Sequence, residues 1–337
     1  MKISCHVKWV VLLALLSVPR TARAQQFSDW GAPVNLGPAV NSMFDEQRPA
    51  ISKDGLSLYF SSTKPGGSGG EDLYVSQRAS PKDPWKPPVN LGPNINTSGN
   101  ESAPNLSNDG HLLFFHRPGG CGGLDLHVSY RKHSRDDSGW EPTTNLDLFG
   151  RKPGTRLACI VNSPQDDAGP NYFQDERTGM NTLIFTSLNR PGNIGDWDIY
   201  TSTQNPDGTF SAGVLVPELS SPRRDTRTAI RRRDGLEIYV VSERPPGAVG
   251  DGNLWVSTRP NTSFPWSMPV LVSQAPLQPG ELPINIVGPV PFGLIFDGAM
   301  ALSWDGTELY FHSNRPGGSG GQDIYVTKRH KITGNSP

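Results

Sequence analysis

Three observations predict an all-β chain closed into a ring of five four-stranded antiparallel blades, a five-bladed β-propeller. First, one motif recurs five times, clean in three copies and worn in two, with single boxes substituted in each: an acid three residues before a proline position, then Asp-Gly, a hydrophobic run, an Arg-Pro-Gly-Gly box and Asp-(Leu/Ile)-Tyr. Second, every copy holds short β-branched or alternating apolar runs broken by Gly, Pro, Asn and Asp, the pattern of strands and tight turns rather than helices. Third, the last copy stops one strand short, and the missing strand is spelled at the other end of the chain. A four-strand unit repeating about every 55 residues cannot bury its sheet faces alone, so the units must pack radially against one another.

Taken in order, residues 1–24 carry Lys2 and Lys8, a short apolar run 9–16 and Ala22-Arg-Ala24, the layout of a cleaved export signal. The mature chain is expected to begin at Gln25 and to be periplasmic or secreted. The apolar run is too short to span a bilayer, and no cysteine follows the cleavage site to take a lipid. Residues 30–36 copy residues 85–91 and are assigned as the outer strand of the last blade, which closes the ring and leaves no open seam. The blade repeats then cover about 46–91, 101–146, 167–216, 225–272 and 297–329 of a single domain spanning 25–337. In the first, strand a is read at 48–52, b at 56–62, c at 72–78 and d at 85–91. Trp85, Trp140, Phe210 and Trp266 are each expected to open a d strand.

The stretches at 49–60, 104–115 and 300–311, reading Pro-x-(Leu/Ile)-Ser-x-Asp-Gly-x-x-Leu-Tyr-Phe in their fullest form, resemble the WD40-like or TolB-like repeats labelled PD40. With the Arg-Pro-Gly-Gly and Asp-Ile-Tyr boxes, the resemblance covers nearly the whole mature chain. It implies a propeller. It implies little about activity, since such repeats occur in periplasmic interaction proteins and in peptidase propellers alike.

Composition narrows the function. Net charge is −1 with Lys and Arg spread over all blades, so neither nucleic acid nor a membrane surface is an expected partner. A monomer without cofactor is expected. Of three cysteines, Cys5 leaves with the signal. Cys121 stands where serine occupies the Gly-Gly-Ser-Gly-Gly loop of other blades, and Cys159 lies in a long insertion. Both are placed in loops of one face, and an oxidising compartment favours a disulfide. With no Cys-x-x-Cys or paired His spacing, no metal site is expected.

The d–a and b–c loops share one face, here the top, which also carries the two long insertions, at about 147–169 and 273–296. Alignment puts one acid three residues before the proline position of each inner strand: Glu46, Glu101, Asp167, Asp225 and Asp297. A base ends each b strand: Lys64, Arg117, Arg190, Arg244 and Arg315. The acids are expected to ring the top of the channel, paired to the bases as a structural device or crowded into a binding or catalytic set. Asp72, Asp125, Asp198 and Asp323 precede the aromatic of strand c and are expected to hold the amides of the Gly-rich turn. Three further arginines, Arg223, Arg224 and Arg227, crowd the channel edge of blade 4, and suit a carboxylate or sulfate. His116 and His312 follow the b-strand aromatic in blades 2 and 5. No Gly-x-Ser-x-Gly or His-Glu-x-x-His occurs. The expected function is therefore a non-catalytic propeller binding a glycan, peptide or envelope protein on its top face. The alternative is a glycosidase. Five-bladed glycosidases place carboxylates of separate blades at the channel mouth, an arrangement that this acid ring resembles, with Asp167, Asp225 and Asp297 as candidates.

Overall fold

The computed structural model describes residues 25–245, 252–278, 281–282, 284–285 and 296–332. The proposed export signal lies outside these residues, as does most of the insertion ahead of the fifth blade. Five four-stranded antiparallel sheets form a ring. Blade 1 comprises Glu46–Ile51, Ser57–Ser62, Asp72–Gln77 and Val89–Asn90, from the axis outward. The inner strands of blades 2 to 5 are Ser102–Leu106, Asp167–Gln174, Asp225–Ile230 and Asp297–Leu302. In the fifth blade the outer strand is Val34–Asn35, pairing with Asp323–Lys328 from the far end of the chain. Beyond it, Gln26–Phe27 pairs with Lys331–Ile332 and adds a second clasp. Among the described residues no helix is long and apolar enough to cross a membrane.

Outer strands are shorter than the sequence pattern suggests. Trp85 does not open a ladder, and regular pairing begins only at Val89–Asn90. Pro87 and Pro88 carry no N–H, so the chain between tryptophan and valine cannot pair continuously. Trp140 and Phe210 each make one isolated bridge, to Arg131 and Gln204. The tryptophans turn inward instead, and each covers an arginine that ends strand c. Arg78, Arg131, Arg259 and Arg329 lie 4.1–4.4 Å above Trp85, Trp140, Trp266 and Trp30 respectively. Each donates its Nε to the carbonyl of the glycine, or its counterpart, in the a–b turn of the same blade, namely Gly55, Gly110, Gly235 and Gly306, at 2.7 Å. Three of them also reach a strand-b tyrosine of the preceding blade, Tyr310, Tyr59 and Tyr239. One side chain thus closes a turn, fills the core beside an indole and joins two blades.

Between blades the core is made of strand-b and strand-c side chains, such as Leu58, Phe60 and Tyr74 against Tyr310 and Ile324. The repeated acids of strand c hold the preceding turns as the spacing predicts. Asp72 accepts from Ser68 N at 2.5 Å and Gly69 N at 3.1 Å, and Asp323 from Ser319 N and Gly320 N at 2.6 and 3.1 Å.

Candidate functional site

The acid ring is built from the first turn of each inner strand, and it does not face the channel. Glu46, Glu101, Asp167 and Asp225 are 0% exposed, and Asp297 is 4% exposed. Glu46 accepts from Ser42 N and Oγ, both at 2.7 Å, and from Ser62 Oγ at 2.9 Å. Glu101 is held the same way by Thr97 N and Oγ1, Asp167 by Ser163 and Asp225 by Ser221. A hydroxyl residue four positions ahead therefore pins each of these acids to its own loop. In blades 3, 4 and 5 the b-strand base completes the pair: Arg190 to Asp167 at 3.2 Å, Arg244 to Asp225 at 2.6 Å and Arg315 to Asp297 at 2.8 Å. Burial raises the pKa of Glu46, Asp167 and Asp297 above the usual carboxylate value, against the lowering effect of those partners.

This corrects the placement expected from the sequence. The five acids, with Arg190, Arg244 and Arg315, are interior struts between the strands and the d–a loops, out of a ligand's reach. The period is right, but the side chains point into the blade, because a serine or threonine amide and hydroxyl await four of them there and Arg315 awaits Asp297. In blades 1 and 2 the bases go elsewhere: Lys64 lies 4.1 Å over the Tyr74 ring, and Arg117 forms no ion pair among the described residues. Arg223 is exposed on the rim, and Arg224 packs 5.9 Å from the Trp197 ring.

What reaches the channel is set by an irregularity common to all blades. The inner-strand ladder slips in each, between Gln47 and Ala50, Ser102 and Asn105, Ala168 and Asn171, Thr226 and Thr228, and Gly298 and Met300. Bulges of this kind re-aim side chains. They also explain the prolines, since Pro49, Pro104 and Pro170 sit at the slip, on the innermost strand, whose axis-facing edge is unpaired. At the slip the backbone turns left-handed, with φ of 52° at Arg48, 55° at Ala103, 60° at Gly169 and 46° at Arg227. Non-glycine residues rarely accept this conformation. Here two of the three are arginines, and both line the channel.

Two histidines lock the bulges across blade boundaries. His312 Nδ1 accepts from Arg48 N at 3.1 Å, and His116 Nδ1 accepts from Gly169 N at 3.3 Å. Burial holds both imidazoles well below their usual pKa, and the nearby Arg48 and Arg227 guanidiniums push further in that direction. Neutral rings accept at Nδ1, so these shifts keep the locks closed. Around Arg48 lies a small polar network: its guanidinium contacts Glu71 and donates to Ser102 Oγ at 2.6 Å. Ser102 Oγ donates to Glu71 at 2.9 Å and lies 3.1 Å from Ser61 Oγ. Below the arginines the channel narrows to a void of about 30 Å³, room for one water and too little for a sugar ring. The axis below the mouth therefore excludes a sugar ring.

Neither a family model nor a curated relative matches this sequence. The fold does have counterparts among solved structures. A thermostable family-43 glycoside hydrolase is similar with a TM-score of 0.53 at 13% identity, covering 89% of this chain and 93% of its own. An α-L-arabinofuranosidase from Lactobacillus brevis gives 0.53 at 15%, with 89% and 93% covered. An endo-arabinase from Bacteroides thetaiotaomicron gives 0.50 at 17%, with 92% and 100% covered. The chain has the five-bladed architecture of these proteins. At such identities the likeness concerns architecture alone, so function must be argued from this chain's own residues.

Glu71 and Arg48 were missed by sequence reasoning, whereas Arg227 was expected at the channel edge of blade 4. Glu71 follows the Gly-rich loop and has no acidic counterpart in the other blades, where Leu124, Trp197, Gly252 and Gln322 stand. Departure from the repeat was the available signal. Among the described residues no cluster of His, Cys, Asp and Glu could hold a metal. Cys121 and Cys159 form a disulfide that ties the Gly-rich loop of blade 2 to the insertion ahead of blade 3.

Proposed function

We propose that the chain is an exported carbohydrate-binding propeller that takes the carboxylate or sulfate of an acidic glycan at the top of its channel. The observation that carries this reading is the pair Arg48 and Arg227, aimed at the channel by left-handed bulges of blades 1 and 4 beside histidines held neutral. The Arg48 guanidinium, already held by Ser102 and Glu71, loses little freedom on binding an oxyanion, and the planar arginine fork matches such a group in two hydrogen bonds. Buried, saturated acids at every blade are the other support, because they supply scaffold rather than acid–base groups. Carbohydrate as the ligand class is favoured by the activities named for proteins of this architecture. Export is supported by the leader-like residues 1–24 and by a disulfide, which persists in oxidising compartments.

Those same names favour a second reading, glycoside hydrolysis, and Glu71 is the mouth carboxylate that such a reaction would recruit. Asp167, Asp225 and Asp297 are unsuited to it, being buried and bonded to arginine. Hydrolysis needs two carboxyl groups flanking the scissile bond.

The test incubates the mature protein with neutral and acidic polysaccharides and measures both retention and new reducing ends, with Arg227→Ala and Glu71→Gln beside it. Retention of an acidic polysaccharide that Arg227→Ala weakens at least about tenfold, without reducing ends, is expected. New reducing ends that Glu71→Gln abolishes would replace this reading with the hydrolase. Retention of neutral polysaccharides alone would remove the role given to the arginines.

A further inference from the structure

Deeper in the channel lies a charge that the top-face site does not use. In blade 4 the a–b turn reads Arg231-Arg232-Arg233 where blades 1, 2 and 5 have Ser-x-Asp. Arg231 pairs with Asp234 and Glu237, but Arg232 turns inward and reaches across the axis. It is 4% exposed, and its guanidinium donates to Leu106 O of blade 2 at 3.1 Å and to Ile51 O of blade 1 at 2.5 Å. These are main-chain carbonyls. Among the described residues no carboxylate is paired with it, and burial alone lowers its pKa, to about 10.

Above it run two stacked voids. The lower, about 10 Å³, is lined by Arg232, Asn105, Asn171 and the apolar side of the inner strands. The upper, about 30 Å³, is lined by Arg48, Arg227, Asn171 and Thr228 among others. Neither wall carries an Asp or Glu side chain. Thr228 Oγ1 and Asn171 Oδ1, both on residues 5% exposed, have no hydrogen-bond partner. A buried guanidinium without counter-ion is costly. The upper void has room for one particle the size of a halide, and the lower for one water at most.

We propose that the channel holds a single monatomic anion of the chloride class between the Arg232 guanidinium and the Thr228 hydroxyl. Thr228 donates to the ion, and a water in the remaining space donates to Asn171 Oδ1. The ion neutralises the charge that fastens blades 1, 2 and 4 together at the axis, so its binding is linked to the closed ring. A cation is disfavoured by the same wall.

The test is thermal unfolding of the full chain in gluconate, an anion too large for the voids, with chloride or bromide titrated in at constant ionic strength. A saturable rise of roughly 2 °C is expected, by mass action on the folded state alone. Thr228→Val keeps the arginine network and is expected to lose most of that rise; Arg232→Met is expected to lose all of it if it folds. Bromide-grown crystals should show an anomalous peak between Arg232 and Thr228. Equal melting in gluconate and chloride, or bromide found only outside the channel, would overturn the proposal.

Discussion

His312 and His116 show how a single side chain holds two blades in register. Each accepts a backbone N–H from the bulge of the next blade, which only an unprotonated Nδ1 can do. Burial first, and then Arg48 and Arg227, depress both pKa values. In the unfolded chain these rings protonate as pH falls through about 6.5, while in the folded chain they do not. The unfolded state then binds more protons, so this contribution to stability is complete above pH 6.5 and is lost on acidification. His312→Asn keeps an acceptor near the Nδ1 position without the titration. Between pH 6.5 and 5 the wild type should lose about 1.5 kcal/mol more than this variant in unfolding free energy from urea titrations. The raised pKa of Glu46, Asp167 and Asp297 acts with the opposite sign, and the difference between the two proteins cancels it. Parallel curves would show that the His312 ring is free to protonate in the fold.

At the scale of elements, the loop ahead of blade 3 is ordered by a few centres rather than by a core of its own. Asp147 collects Ile160 N, Val161 N and Asn162 N at 2.7–3.0 Å, and the Cys121–Cys159 bond closes the loop from the other side. The bridge spans 38 residues of sequence, so constraint of the unfolded chain alone is worth about 4 kcal/mol. Cys159→Ser is expected to lose roughly 2–4 kcal/mol of stability while keeping acidic-glycan retention, since Arg48 and Arg227 belong to other blades. Urea unfolding with and without reductant measures the first, and the polysaccharide assay the second. Loss of retention would place the insertion in the binding surface.

For the whole molecule, the ring is closed by residues from the two ends. Trp30 is 3% exposed, covers Arg329 and donates its indole N–H to Tyr239 of blade 4 at 3.1 Å. Arg329 in turn makes a fork with Glu237, which also holds Arg231 and Tyr239. The closing segment therefore fastens blade 5 to blade 4 as well as completing its own sheet. Removing residues 25–36 should expose the Asp323–Lys328 edge and abolish cooperative unfolding, because a buried tryptophan alone is worth about 3–5 kcal/mol. Calorimetry and gel filtration measure this, and a peptide of residues 25–36 added in trans should restore a single transition. A truncated chain that melts as the wild type does would show that blade 5 holds on three strands.

How much was legible follows from what a repeat can encode. Five copies of strand and turn chemistry, with the missing strand at the opposite end, determine a five-bladed ring, because each unit's apolar faces need neighbours and closure leaves no edge. The strand-c acids were legible too, since their partners are the adjacent turn amides. The acid ring was not. Sequence places Glu46, Glu101, Asp167, Asp225 and Asp297 at the top of each inner strand, but whether a carboxylate faces the axis or its own loop depends on the hydroxyl four residues earlier in blades 1 to 4 and on the arginine arriving from strand b in blades 3 to 5. Only the tertiary structure decides that competition. It also decides the channel: the ladder slips that turn Arg48 and Arg227 left-handed, and the axial reach of Arg232 to carbonyls of two other blades, depend on the spacing of five strands around an axis that no single repeat contains.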